Sequence, residues 1–205
     1  MGTAGDDVLV GTSGRDVICG LAGNDEINGL GGNDYIIGGP GDDIIEGNAG
    51  DDRIFGGPGY DQIRGGSQDD IIYGEDGVDE IFGGPGDDHV FGGEGIDIIN
   101  GGGGNDWLYG ENGDDRLYGE EDNDFLDGGS GNDLIRGGDD EDTLYGGPGD
   151  DQIFAGQGDD IIAGGSGYDQ ADGGHDTDWC DRTTEVCTRS SWEDHVSNED
   201  QTGRD

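Results

Sequence analysis

Apolar residues recur along this chain once in every nine positions. From Leu9 an aliphatic side chain returns at Ile18, Ile27, Ile36 and Ile45, and so on by nines to Ile162. Cut every nine residues from Gly2, the chain yields 20 consecutive blocks ending at Asp181, with no insertion or deletion. Position eight is Ile, Leu or Val in 18 blocks, and only Ala171 and Cys180 depart from it. Self-similarity at one fixed period is the mark of a repeat architecture. The three residues centred on position eight read as a minimal strand. Side chains alternate across a strand, so position eight faces one side and positions seven and nine the other.

The other six residues of each block are turn material. Position one is Gly in 19 blocks, the exception being Ala155. Position four is Gly in 16, the exceptions being Gln68, Asp122, Asp140 and Asp176. Position five is Asp or Asn in 13 blocks, and position six is Asp in all 20. Gly takes positive φ without steric penalty, and Asn and Asp tolerate the left-handed region better than other residues. A helix is excluded, because each interior Gly costs roughly 1 kcal/mol. A three-residue strand does not stand alone, but it can stack on its neighbours as a solenoid.

Composition by itself points elsewhere. Asp and Glu total 51 against 8 Arg and no Lys, for a net charge of −43. Leu, Ile, Val and Phe make up under a fifth of the 205 residues. That pairing normally means a disordered chain. An unselected acidic coil would not hold its aspartates in phase across 180 residues, so the repeat overrules the composition. The charge still excludes functions. Nucleic-acid binding and docking on anionic membranes need a basic surface that is missing here. No stretch approaches the ~20 apolar residues of a membrane span.

GGPGDDIIE (38–46), GGPGDDHVF (83–91) and GGSGNDLIR (128–136) match the pattern GGxGxDxUx position for position, where U is a large aliphatic residue. The chain thus resembles the haemolysin-type RTX family of calcium-binding nonapeptide repeats. The resemblance covers about nine-tenths of the sequence. It implies an all-β fold, a right-handed parallel β-roll of about ten coils with two nonapeptides per coil. Residues 2–181 form the roll, and 182–205 are expected to be a short cap followed by a disordered polar tail. Calcium is expected between the turns of adjacent coils.

With two blocks per coil, residues 18 apart lie above one another, and the aspartates form two columns. The odd-block column is Asp7, Asp25, Asp43, Asp61, Asp79, Asp97, Asp115, Asp133, Asp151 and Asp169. The even-block column is Asp16, Asp34, Asp52, Asp70, Asp88, Asp106, Asp124, Asp142, Asp160 and Asp178. Carboxylates stacked about 4.8 Å apart repel unless a cation lies between them. An oxygen-only, flexible ligand set favours Ca²⁺ over Mg²⁺. Nine gaps per column set a ceiling of about 18 Ca²⁺. The three His and three Cys form no ligand-spaced cluster, so soft metals find no support. All four losses of the position-four Gly, and Ala155, fall in even blocks. The odd column is therefore expected to bind calcium more uniformly.

The two outward faces differ. Positions seven and nine of the even blocks are apolar or aromatic at 15 of 20 places, against 8 of 20 in the odd blocks. Strands favour such residues even on solvated faces. The sharper reading is a contact surface for a partner or a second copy. No catalytic constellation separates from the repeat, so no enzymatic role is expected.

Cys180 and Cys187 flank the end of the repeat and could close a disulfide across the terminal coil, in keeping with an oxidising, extracellular setting. Cys19 is left over. Met1 leads directly into the first repeat with no signal segment, so an extracellular protein would need a further N-terminal stretch or another export route. The reading is a secreted calcium-binding protein whose folding is coupled to the metal. The alternatives are a structural or adhesive surface protein using the aromatic face, or an accessory module of a larger secreted enzyme.

Overall fold

The computed structural model of the chain describes residues 1–181 and the backbone of 186–188. Among these there are 21 strands and no helix. The strands alternate between two parallel sheets. The odd sheet has 11 strands, from Val8–Val10 to Val186–Thr188, and the even sheet has 10, from Val17–Cys19 to Trp179–Cys180. Consecutive strands of a sheet pair at an offset of 18 residues, as in Leu9 with Ile27 and Val90 with Leu108. Each coil is therefore two blocks, and the structure is a parallel β-roll of about ten turns.

The register places position eight between the sheets. Every residue there from Ile36 to Ile162 is fully buried, 0 % exposed, so the core is a narrow aliphatic file rather than a thick interior. One buried side chain per strand suffices because the two sheets close on each other and the turns carry the rest of the backbone bonding.

The C-terminal end adds one departure. Val186–Thr188 pairs with Gln170–Asp172 at an offset of 16 rather than 18, so the last link is two residues shorter. This strand falls within the segment expected to be a cap and tail. The remainder of that segment lies outside the described residues. Cys180 is disulfide-bonded and Cys19 is free. The side chain of Cys187, the expected partner of Cys180, lies outside the described residues.

Candidate metal columns

All the position-six aspartates from Asp25 to Asp178 are buried, in two unbroken files. Asp7 and Asp16, in the first coil, are only half-buried. Each buried carboxylate is held in the same way. Its Oδ1 accepts the backbone N–H of the aspartate 18 residues earlier, as in Asp70 N to Asp88 Oδ1 at 2.8 Å and Asp79 N to Asp97 Oδ1 at 2.8 Å. The ladder runs through 18 such bonds, from Asp7–Asp25 to Asp160–Asp178. The sequence reading anticipated the stacking but not this anchor. Nothing in the nine-residue pattern distinguishes an aspartate that bonds the neighbouring backbone from one that does not.

The second oxygen is left over. In 17 successive aspartates, Asp25 to Asp169, Oδ2 is buried and has no hydrogen-bond partner. It faces the space that a Cβ would take at position one of its own block, where every residue but Ala155 is Gly. A Cβ added at Gly74 would lie 2.6 Å from Asp79 Oδ2 and 2.5 Å from the Gly92 carbonyl oxygen of the next coil. A carboxylate oxygen and a carbonyl oxygen thus face one small space that any side chain at position one would fill. Such a cradle, lined by hard oxygens and one negative charge, fits calcium. Side chains alone do not complete it, because among the described residues no three His, Cys, Asp or Glu groups converge. Backbone carbonyls of the Gly-rich turns would have to supply the rest.

The electrostatics agree. Burial pushes the Asp61, Asp70 and Asp106 carboxyls up to about 8, with the backbone N–H opposing and neighbouring carboxylates adding to the rise. The same causes push Asp88 and Asp124 to about 7, and Asp43 and Asp52, nearer the N-terminal end, to about 6. A buried carboxylate facing no positive charge takes up a proton or a cation. The first coil is different. In Asp7 and Asp16 the Oδ2 accepts the amide of Thr3 or Thr12 at 2.6 Å, and the threonine hydroxyl at 2.9 or 2.8 Å.

The two columns differ in their turns. In the odd blocks the position-four Gly from Gly41 to Gly167 keeps φ between 140° and 156°. In the even blocks φ scatters from 73° at Asp122 to 146° at Gly86. Gln68, Asp122, Asp140 and Asp176 stay in the left-handed region at φ 73–79°, the only part of positive φ that an L-residue with a Cβ reaches at modest cost.

These features define a class of protein, a parallel β-roll whose turns present stacked carboxylates for a hard divalent cation. The family model for the RTX calcium-binding nonapeptide repeat matches residues 1–36, 28–63, 61–90, 91–126, 118–153, 127–162, 136–171 and 154–181. The chain belongs to that family, and it is a calcium-binding β-roll. Among solved structures, a hyperactive, Ca²⁺-dependent, β-helical antifreeze protein from an Antarctic bacterium is similar in fold. Its TM-score is 0.53 at 16 % identity, over 92 % of this chain and 80 % of that one. Comparison with curated proteins gives no match.

Proposed function

We propose that this chain works outside the cell as a calcium-dependent folding unit, ordered by calcium and largely unfolded without it. The observation that carries the reading is the unbroken file of buried, partnerless Oδ2 atoms from Asp25 to Asp169. Each ion would be held by position-six carboxylate oxygens and turn carbonyls. Bound calcium supplies the positive charge that offsets the burial of those carboxylates. The aspartates themselves bridge coils through Oδ1 and so fix the spacing at which Oδ2 is presented. About 18 ions would bring the net charge from −43 to roughly −7, an ordinary value for a soluble domain. Asp7 and Asp16 would contribute least, since threonine donors already occupy their Oδ2. Millimolar calcium outside the cell would bind only the folded form and pull the equilibrium over by mass action.

The test is circular dichroism during calcium titration, with EGTA reversal. Gain of β-structure on adding calcium and its loss on chelation are expected. A spectrum unmoved by calcium refutes the reading.

A further inference from the structure

Position eight departs from Ile, Leu or Val only at Ala171 and Cys180. Both stand in the last full coil, where Ala171 pairs with Ile153 and Cys180 with Ile162. The aliphatic file that runs through every earlier coil therefore stops there. The even strand of that coil, Trp179–Cys180, has two residues and is the shortest of the described strands. Asp178 is 9 % exposed, against 0–3 % for the aspartates from Asp25 to Asp169. The bond from Asp160 N to Asp178 Oδ1, at 3.3 Å, is the longest rung of the ladder. In a solenoid each coil is held by its own core and its neighbours, so an end coil can open while the others stay folded.

A covalent bond stands where the packing is missing. Cys180 is disulfide-bonded and Cys19 is free, and the chain has one further cysteine, Cys187. The backbone register sets Cys187 on the rung after Ala171 in the odd sheet, as Cys180 follows Ile162 in the even sheet. The two cysteines thus hold the final position-eight rungs, one in each sheet. A bridge between them ties the ends of the two sheets together, the role that an aliphatic pair has in the coils before.

We propose that a Cys180–Cys187 disulfide is a redox latch on the last calcium-binding coil. Closed, it keeps the strands Gln170–His175 and Trp179–Cys180 in register, so that Asp169 and Asp178 present their oxygens to the metal. Open, that coil frays and its sites are lost, while the coils before it stay loaded. The latch rests on the calcium reading above and adds a control that the repeat itself lacks. Two molecules of a small thiol open it. The protein S–S bond breaks, an S–S bond forms between the two small thiols, and their two protons pass to Cys180 and Cys187. A small-molecule disulfide closes it by the reverse exchange. Cys180 is only half-buried, which leaves the bond open to attack. In a thiol-rich compartment the chain would carry a frayed last coil, and an oxidising one would complete the roll.

The test is hydrogen exchange read by mass spectrometry on the full chain at saturating calcium, with and without dithiothreitol, alongside the calorimetric calcium stoichiometry. Cys19→Ser is the common background, so that only one pair of cysteines responds. On reduction, amides of 170–181 should exchange faster by on the order of tenfold or more. The stoichiometry should fall by about one or two ions, and the coils of 44–138 should keep their protection. Cys187→Ser should match the reduced form without any reductant. Cys180→Ile combined with Cys187→Ser returns an aliphatic side chain to position eight, and should regain protection at 170–181 whether or not dithiothreitol is present. Equal exchange of 170–181 in the two redox states, or a loss of protection that spreads through every coil, would overturn the latch alone. Failure of calcium to protect the coils of 44–138 in either state would overturn the calcium reading, and the latch with it.

Discussion

At the scale of the residue, each position of the block has a separate physical task. Position six gives Oδ1 to the neighbouring backbone and leaves Oδ2 buried without a partner, which we propose is the metal-facing oxygen, so removing the carboxylate's charge separates the two roles. Asp88→Asn keeps an oxygen for the Asp70 amide but removes the negative charge. The calcium-loaded form should lose about 1–3 kcal/mol, and calorimetric stoichiometry should fall by one or two ions. An unchanged stoichiometry would count against the cradle. Position four is set by backbone. Gly95 has φ 144°, and an added Cβ would run into the Gly77 carbonyl oxygen. Gly95→Ala should destabilise the loaded roll by about 2 kcal/mol or more, read as a drop in thermal midpoint. Position one offers the reverse experiment. Ala155 carries the methyl that glycine omits in 19 blocks. Ala155→Gly should strengthen calcium binding in the even column and leave the odd column unaffected, as calcium titration of the two forms would show.

At the scale of the element, the strands and their pairing at 18 residues were legible and their lengths less so. The x-aliphatic-x triplet predicts each strand, because one inward residue flanked by two outward ones is what a half-buried strand requires. Six-residue strands such as Ile44–Ala49 extend beyond the triplet into the first three residues of the next block. Their extra pairing comes from the next coil, which no single block encodes. The even-face rings illustrate the same dependence. Alternation placed them outward and the 18-residue offset put Phe55, Tyr73, Phe91 and Tyr109 in one column, but only the structure shows the rings stacked face to face, where they shield one another to half-burial. Stacked pairs contribute about 0.5–1.5 kcal/mol beyond their burial. Phe91 stacks on two rings, so Phe91→Ala should destabilise the loaded roll by about 2–4 kcal/mol in thermal or denaturant unfolding. A loss near zero would mean that the stack follows the fold without supporting it.

At the scale of the whole molecule, the buried carboxylates make stability a function of pH and calcium together. In the metal-free roll the central aspartates titrate at about 6–8, against 3.8 for an unperturbed carboxyl. The folded form therefore binds protons more tightly than the unfolded chain. The stability this contributes is complete below about pH 4 and is lost as pH rises through 6–8. In EGTA, β-structure should persist in acid and fade across that window, while with calcium it should remain at neutral pH. Because calcium displaces those protons, its apparent affinity should rise with pH over the same range, with protons released on binding. Dichroism in EGTA at about pH 4 and about pH 8 checks the first expectation; equal β-content at both would contradict it.

The sequence by itself determined the period, the strand positions, the inward aliphatic file and the phase of every aspartate. Each follows from local chemistry repeated without a slip from Gly2 to Asp181. The difference between the turns of the two columns was also legible, since the loss of Gly at Gln68, Asp122, Asp140 and Asp176 is visible in the letters; the structure adds that the backbone there keeps positive φ at a different value. Only the tertiary structure decided how residues 18 apart bond and pack against one another. It revealed the Oδ1 ladder, the partnerless Oδ2 file, the threonine donors of the first coil, the shortened last link at Val186–Thr188 and the Phe125 ring that carries the aromatic stack past Asp127. The physical reason is one of range. Turn and strand preferences act within a block, whereas burial and hydrogen bonding between coils exist only once the coils have stacked.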